Sequence, residues 1–166
     1  MTGNYPSQAH EVTVRACEPR DLPALQEILA DSPEAASWSQ QAIDDVLRQS
    51  WVSAYVSERN GEVTGFVVGR RVMDEGEILN LAVGSRNRRR GDGHALVTEL
   101  LKEYRRSHVT KVFLEVREFN VAAIKFYARL GFIQVGRRDA YYREPTEAAL
   151  IFEKKMEIHN LVPNSS

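Results

Sequence analysis

The sequence predicts an α/β domain in which a mixed, mostly antiparallel sheet is flanked by helices. Strand-like and helix-like segments alternate along the 166 residues, and this length fits one domain covering 1–166. Within residues 75–85, the segment 78–83 is apolar except for Asn80, which is typical of a strand covered on both faces. The Asn60-Gly61 pair between two strand-like segments indicates a hairpin.

The predicted elements follow the order β-α-α-β-β-β-α-β-α-β-β. The predicted strands are β1 (11–17), β2 (51–58), β3 (63–73), β4 (75–85), β5 (111–118), β6 (132–142) and β7 (147–156). The predicted helices are α1 (within 18–32), α2 (from about 39), α3 (91–107) and α4 (120–131). Asp21, Ser39 and Asn120 are the expected N-caps of α1, α2 and α4, and Gly131 is expected to end α4.

Composition and charge exclude several classes of protein. The net charge is −1, whereas proteins that act on nucleic acid usually carry a broad excess of Lys and Arg. A single cysteine, Cys17, allows no intrachain disulfide, and no apolar run reaches the length of a membrane span. The four histidines are scattered, so we predict no metal site. We therefore expect a cytoplasmic protein that requires neither membrane nor nucleic acid.

A basic, glycine-containing stretch joins β4 to α3. Arg88, Arg89 and Arg90 precede Gly91-Asp92-Gly93, which opens the helix. A strand, glycine loop and helix start in succession direct several backbone N–H groups and the positive helix end at one place, which favours an anion. The alternative is a solvated helix start. The stretch lacks the Gly-Lys-Ser/Thr of a P-loop and the third glycine of a dinucleotide loop.

The same stretch resembles Arg/Gln-x-x-Gly-x-Gly/Ala, the pyrophosphate-binding motif of the GNAT (Gcn5-related) N-acetyltransferases. The element order is similar to that fold from about residue 12 to 157. Four blocks, "EILNLAV", "RRRGDGHALV", "LEVREFNVAAIKFYARLGF" and "YYREPTEAAL", resemble the RimI subfamily. The resemblance implies a sheet in which β4 and β5 splay apart, acetyl-CoA as co-substrate, and acetylation of a protein N-terminus, notably the alanine of ribosomal protein S18.

The resemblance also assigns catalytic roles. Glu115 shares one face of β5 with Phe113 and Arg117. Its counterpart in the family is the general base, and the alternative is an ion pair with a neighbouring arginine, Arg117 included. Tyr127 of α4 matches the family's general acid, and the alternative is a tyrosine of the core. The acetyl group would pass directly to the amine in a ternary complex.

The remaining implied contacts are to the cofactor. The backbone of Leu81, Ala82 and Val83 would bind the pantetheine arm and supply an oxyanion donor; Asn120 would contact acetyl-CoA. The cradle would comprise Arg88, Arg89, Arg90, Gly91, Asp92, Gly93 and His94. Asp92 departs from the family, which usually has an apolar residue there. If its side chain faces solvent the arginines should prevail, and if it faces the phosphates cofactor affinity should be weakened.

Fewer residues of the sequence indicate where the acceptor amine would bind. Tyr141 and Tyr142 resemble the family's substrate-side segment, and Trp38 could form the opposite wall or pack on the core. Rival interpretations are a GNAT enzyme acting on a lysine or a small amine, a non-catalytic acyl-CoA-binding module, and RNA binding through 86–90. We expect a monomer or a weak homodimer.

Overall fold

The computed structural model describes residues 11–35 and 38–157. The strands are β1 (Thr13–Ala16), β2 (Val52–Arg59), β3 (Glu62–Val72), β4 (Glu75–Val83), β5 (Lys111–Arg117), β6 (Ile133–Arg143) and β7 (Thr146–Lys155). The helices are α1 (Leu22–Ala30), α2 (Gln40–Leu47), α3 (Asp92–Arg106) and α4 (Val121–Arg129). The predicted order of elements and the predicted α/β class are confirmed.

The seven strands form one sheet in the order β1-β2-β3-β4-β5-β7-β6. All neighbours are antiparallel except β4 and β5, which are parallel. The β4–β5 pairing runs from Glu75 opposite Lys111 to Ile78 opposite Leu114 and stops there, although both strands continue. The expected splay of β4 from β5 is confirmed.

Helices cover the two faces of the sheet unequally. On one face, α3 and α4 close a core that includes Leu96, Leu100, Leu114 and Tyr127. On the other face, α1 and α2 close a second core over β2, β3 and the end of β4. Since the described residues form no such core over β5, β7 and β6 on the second face, side chains of those strands line a surface cavity there.

All three predicted N-cap residues stand at the N-cap positions of their helices, and two of them cap through their side chains. Ser39 accepts a hydrogen bond from the Ala42 N–H, and Asn120 accepts one from the Ala123 N–H. Asp21 is the N-cap residue of α1 as predicted, but its side chain makes no cap hydrogen bond to that helix. Asp21 is instead buried and ion-paired with Arg15 of β1, at 2.7 Å. The guanidinium is the stronger partner because its charge compensates that of the buried carboxylate.

Neither a membrane-spanning helix nor a metal-binding cluster is found within residues 11–35 and 38–157. No helix there combines the length and apolar character needed to cross a bilayer. No group of three or more His, Cys, Asp or Glu side chains in those ranges is placed to hold a metal ion.

Candidate active site

The point where β4 leaves β5 exposes one edge of β4. The Gly84 N–H donates to the Thr64 carbonyl, which makes these two residues a hydrogen-bonded antiparallel pair. Since such pairs alternate along the ladder, the polar groups of Ala82 point towards β3, and those of Leu81 and Val83 point into the opening. Leu81 and Val83 therefore keep their predicted place at the opening. The backbone polar groups of Ala82 are paired with β3 instead, and its side chain is buried in the core.

A β-bulge lies at the start of this free edge. Val68 of β3 pairs with Asn80 and Gly69 pairs with Ile78, so Leu79 has no partner on β3. The bulge comes directly after Ile78, the last residue of β4 that pairs with β5. Because a bulge re-aims the backbone, it contributes to the divergence of the two strands.

The loop before α3 presents an uncapped helix start. Gly91, the N-cap residue, has φ 92° and no side chain, and Arg89 also has positive φ. The first intrahelical bond runs from the Ala95 N–H to the Gly91 carbonyl. Among the described residues no acceptor binds the N–H groups of Asp92, Gly93 or His94, and these groups mark the positive end of the helix dipole.

The three arginines of the loop differ in what they contact. Arg88 is held by other groups: it donates to the Val83 carbonyl at 3.1 Å and to Ser32 at 3.0 Å, and it is ion-paired with Glu34 at 2.8 Å. Among the described residues, the Arg90 side chain donates to Asn87 alone, at 3.4 Å. The exposed Arg89 side chain makes no hydrogen bond or ion pair with the described residues. Of the three predicted anion ligands, Arg89 and Arg90 are therefore more available than Arg88.

The Asp92 side chain takes neither of the two expected positions. It is 1% exposed and turns inward, towards β2 and β3. There it is ion-paired with Arg59 at 2.8 Å and accepts a hydrogen bond from Thr64 at 2.6 Å. These partners satisfy the carboxylate inside the protein, so only the backbone of Asp92 belongs to the anion cradle.

Glu115 lies beside the opening, on the face that carries α1 and α2. Its neighbours Leu114 and Val116 belong to the core on the α3 side, which confirms the alternation predicted for β5. Glu115 is ion-paired with Arg138 at 3.3 Å, and Tyr141 also donates to it. The expected arginine partner is therefore present, but it comes from β6; Arg117 is paired with the buried Glu147 instead.

Tyr127 lies on the opposite side of the sheet from Glu115. It is 6% exposed and packs edge to face with Phe126 and Phe132 in the α3-side core. Its hydroxyl makes no hydrogen bond with the described residues. Burial raises the pKa of this phenol above its ordinary value, so it stays protonated at neutral pH.

The β6 strand brings two tyrosines to the Glu115 side. A bulge between Arg138 and Tyr142 places two more residues on β6 than on β7. The charge of Glu115 raises the pKa of Tyr141, and burial raises that of Tyr142, whose ring lies 3.9 Å from the Arg117 guanidinium. Trp38 is half-buried and packs against the α1–α2 core, as the alternative interpretation expected.

A cavity of about 430 Å³ opens beside Glu115. Its lining comprises Arg70, Val72, Glu75, Gly76, Glu77, Phe113, Leu114, Glu115, Arg138 and Ile151. Neither predicted tyrosine lines it. A group bound there would reach the Glu115 carboxylate from the side opposite to Tyr127.

Sequence reasoning missed Arg138, Arg59 and Thr64. Arg138 reaches Glu115 through the β7–β6 register and its bulge. Arg59 and Thr64 reach Asp92 from 33 and 28 residues away along the chain. No local pattern marks these contacts, because they depend on which strand lies under the start of α3.

Comparison with known proteins identifies the family. The family model described as "Acetyltransferase (GNAT) family" matches residues 22–132. The chain is 32% identical over 130 residues to the [ribosomal protein bS18]-alanine N-acetyltransferase of Escherichia coli strain K12, covering 78% of this chain and 86% of that protein. It is 30% identical over 118 residues to an N-alpha-acetyltransferase of Sulfurisphaera tokodaii, covering 63% and 71%.

Solved structures agree with these relatives. The ribosomal-protein-S18-alanine N-acetyltransferase of Escherichia coli superposes with a TM-score of 0.77 at 30% identity, covering 91% of this chain and 99% of that one. Ard1 from Thermoplasma volcanium superposes with a TM-score of 0.81 at 31% identity, covering 88% and 98%. The chain therefore belongs to the GNAT family of acetyltransferases and is an N-acetyltransferase.

Proposed function

We propose that this protein transfers an acetyl group from acetyl-CoA to the N-terminal amine of a protein, with an N-terminal alanine of the ribosomal S18 type as acceptor. One observation carries the proposal. Where β4 and β5 part, a free strand edge and an uncapped helix start lie next to a carboxylate on one face of the sheet and a buried tyrosine on the other.

The residues around the opening fit acetyl-CoA. The N–H groups at the start of α3, with Arg89 and Arg90, suit the pyrophosphate. The backbone edge at Leu81 and Val83 suits the amides of the pantetheine arm, which would pair with it as an added strand. The Asn120 side chain uses its oxygen to cap α4, so its amide N–H groups are left for the acyl chain.

Each catalytic residue then has one task. Acetyl-CoA supplies the acetyl group as a thioester. Glu115 takes a proton from the attacking ammonium, directly or through water, since only the neutral amine is a nucleophile. A backbone N–H at Leu81 or Val83 donates to the carbonyl oxygen as negative charge develops on it. Tyr127 gives its proton to the departing sulfur, and the second proton that the nitrogen loses as the amide forms returns the phenol to its protonated state through water. With acid and base on opposite faces of the sheet, the acetyl group passes directly to the amine.

The choice of acceptor rests on the relatives. The Escherichia coli relative is named for the alanine of ribosomal protein bS18, and the Sulfurisphaera tokodaii relative for N-alpha acetylation. At about one-third identity these names support an N-terminal acceptor for this chain and leave its exact sequence to experiment.

The test is an acceptor panel. The protein is incubated with acetyl-CoA and one of three amines: a peptide with a free N-terminal Ala, the same peptide blocked at its N-terminus and carrying lysines, and a polyamine. Free thiol release and mass spectrometry follow the reaction. We expect acetylation of the free Ala peptide alone. Acetylation of lysine or polyamine alone would overturn the proposed acceptor, and cofactor binding without turnover of any amine would overturn the proposed reaction.

Gly91→Val should weaken cofactor binding. Gly91 has φ 92°, where a β-branched residue is strained by roughly 1–2 kcal/mol. The backbone would relieve that strain by rotating the N–H groups at the start of α3 away from the proposed pyrophosphate site. We therefore expect about a tenfold higher Kd for CoA. The measurement is calorimetric titration with CoA.

Gly61→Val is the matched control. Gly61 has φ 81°, and like Gly91 it has no atom within 4 Å of an added Cβ, but it lies in the β2–β3 turn. The control should lose similar stability and keep its Kd. Equal Kd values for both variants and the wild type would argue against the cradle.

A further inference from the structure

A buried ion pair lies directly under the proposed pyrophosphate cradle. The Arg59 side chain is 10% exposed and that of Asp92 is fully buried. Arg59 Nε and Nη2 both donate to Asp92 Oδ1, at 3.0 and 2.8 Å, and Thr64 donates to Oδ2 at 2.6 Å. The same Nη2 also donates to the Arg90 carbonyl, at 2.8 Å. Arg59 thus joins the end of β2 to both the loop and the helix start.

The position of Asp92 creates an electrostatic conflict. A carboxylate in the first turn stabilises the helix dipole, but an anion bound at the same helix start would be repelled by it. The Asp92 N–H belongs to the cradle, and only the carbon atoms of one residue separate it from the carboxylate. Solvent screens this repulsion little, because the carboxylate is buried.

We infer that Arg59 is a positioning residue for the cofactor, because it cancels the charge of Asp92 beneath the proposed pyrophosphate site. The inference rests on the proposed function. It assigns to Arg59 an effect on cofactor affinity that acts through Asp92 and needs no contact with the cofactor.

The inference predicts unequal effects for two substitutions that break the same ion pair. Arg59→Met leaves a buried carboxylate uncompensated next to the anion, and should raise the Kd for CoA about tenfold or more. Asp92→Asn keeps the shape and leaves no negative charge, so its Kd should stay within about threefold of the wild type. Arg59→Met combined with Asp92→Asn should also stay within about threefold, since the repelling charge is gone.

The experiment is calorimetric titration of each variant with CoA, with circular dichroism to confirm folding. Arg59→Lys retains the charge and should bind CoA nearly as the wild type does. In steady-state assays, Arg59→Met should raise the KM for acetyl-CoA while kcat and the acceptor KM stay unchanged. A purely structural role would not produce this selective change.

Several outcomes would overturn the inference. Equal losses of affinity in Arg59→Met and Asp92→Asn would show that the pair acts only through stability. A double variant that binds more weakly than Asp92→Asn would show that Arg59 attracts the phosphates directly, and this comparison stands even if Arg59→Met fails to fold. Wild-type protein that binds no CoA would overturn the proposed function and the inference together.

Discussion

Glu115→Gln should lower kcat by about 100-fold or more, because an amide cannot accept the proton of the attacking amine and general-base catalysis contributes at least that much. The KM for acetyl-CoA should stay unchanged, since Glu115 lies on the α1–α2 face, away from the loop before α3. The shape of the side chain is conserved, and Tyr141 can still donate to the amide oxygen. Steady-state kinetics with the free Ala peptide measures both quantities.

Glu103→Gln is the matched control for this substitution. Glu103 is also a half-buried carboxylate, and it accepts hydrogen bonds from Ser53 and Tyr55 at 2.6 and 2.8 Å. It lies on α3, remote from Glu115, so its loss should lower stability by about 1 kcal/mol and leave kcat unchanged. If Glu115→Gln turned over at the wild-type rate, Glu115 would not be the general base, and its role would be the ion pair with Arg138.

The pairing of Glu115 with Arg138 bears on how the acceptor enters. Arg138 is more than half exposed and makes a single contact with the carboxylate at 3.3 Å. Such exposed pairs are worth little, typically below about 1 kcal/mol. The α-ammonium of an acceptor can therefore replace the guanidinium at Glu115 at small cost. In the proposed function, Arg138 would hold the carboxylate in place between turnovers without blocking it.

Sequence periodicity was sufficient to place the elements and the face of Glu115. The alternation in β5 assigned Phe113, Glu115 and Arg117 to one face, because side chains of a strand alternate whatever its neighbours are. The cap at Asn120 was equally local: its partner, the Ala123 N–H, is three residues away. Such contacts can be read from the sequence since they depend on backbone geometry alone.

Contacts set by the register between distant strands could not be predicted in the same way. From the sequence, Asp92 is expected to repel an anion bound at the helix start. Its two partners, Arg59 and Thr64, reach it through the packing of α3 on β2 and β3, which no local pattern shows. The ion pair of Glu115 went to Arg138 rather than Arg117 because of the β6 bulge. The resemblance to a family supplied roles for residues, while the structure supplied the partners that make those roles possible.

Tyr127→Phe should lower kcat by about 100-fold, the range expected for loss of a general acid. Burial raises the pKa of the phenol above its ordinary value, so Tyr127 carries its proton throughout the neutral range. In the wild type, deprotonation of Tyr127 should therefore not lower kcat at any pH below about 10, the ordinary pKa of tyrosine. A pH profile of kcat with the free Ala peptide checks this.

The stability of Tyr127→Phe separates catalysis from packing. The hydroxyl has no hydrogen-bond partner in residues 11–35 and 38–157, so its removal should change the free energy of unfolding by less than about 0.5 kcal/mol. Tyr104→Phe is the opposite case. That buried hydroxyl donates to the Arg70 and Glu77 carbonyls at 2.9 and 3.0 Å, and its loss should cost about 1–2 kcal/mol without changing kcat.

These two tyrosines decide between the proposed acid and a core residue. Both are buried on the α3 side of the sheet, and each substitution removes a single hydroxyl. The Tyr127 hydroxyl makes no hydrogen bond with the described residues, so it should add little to stability, and its proposed role as the acid is what these two variants test. If Tyr127→Phe kept its kcat and lost stability as Tyr104→Phe does, the sulfur would take its proton from another donor, and Tyr127 would belong to the core alone.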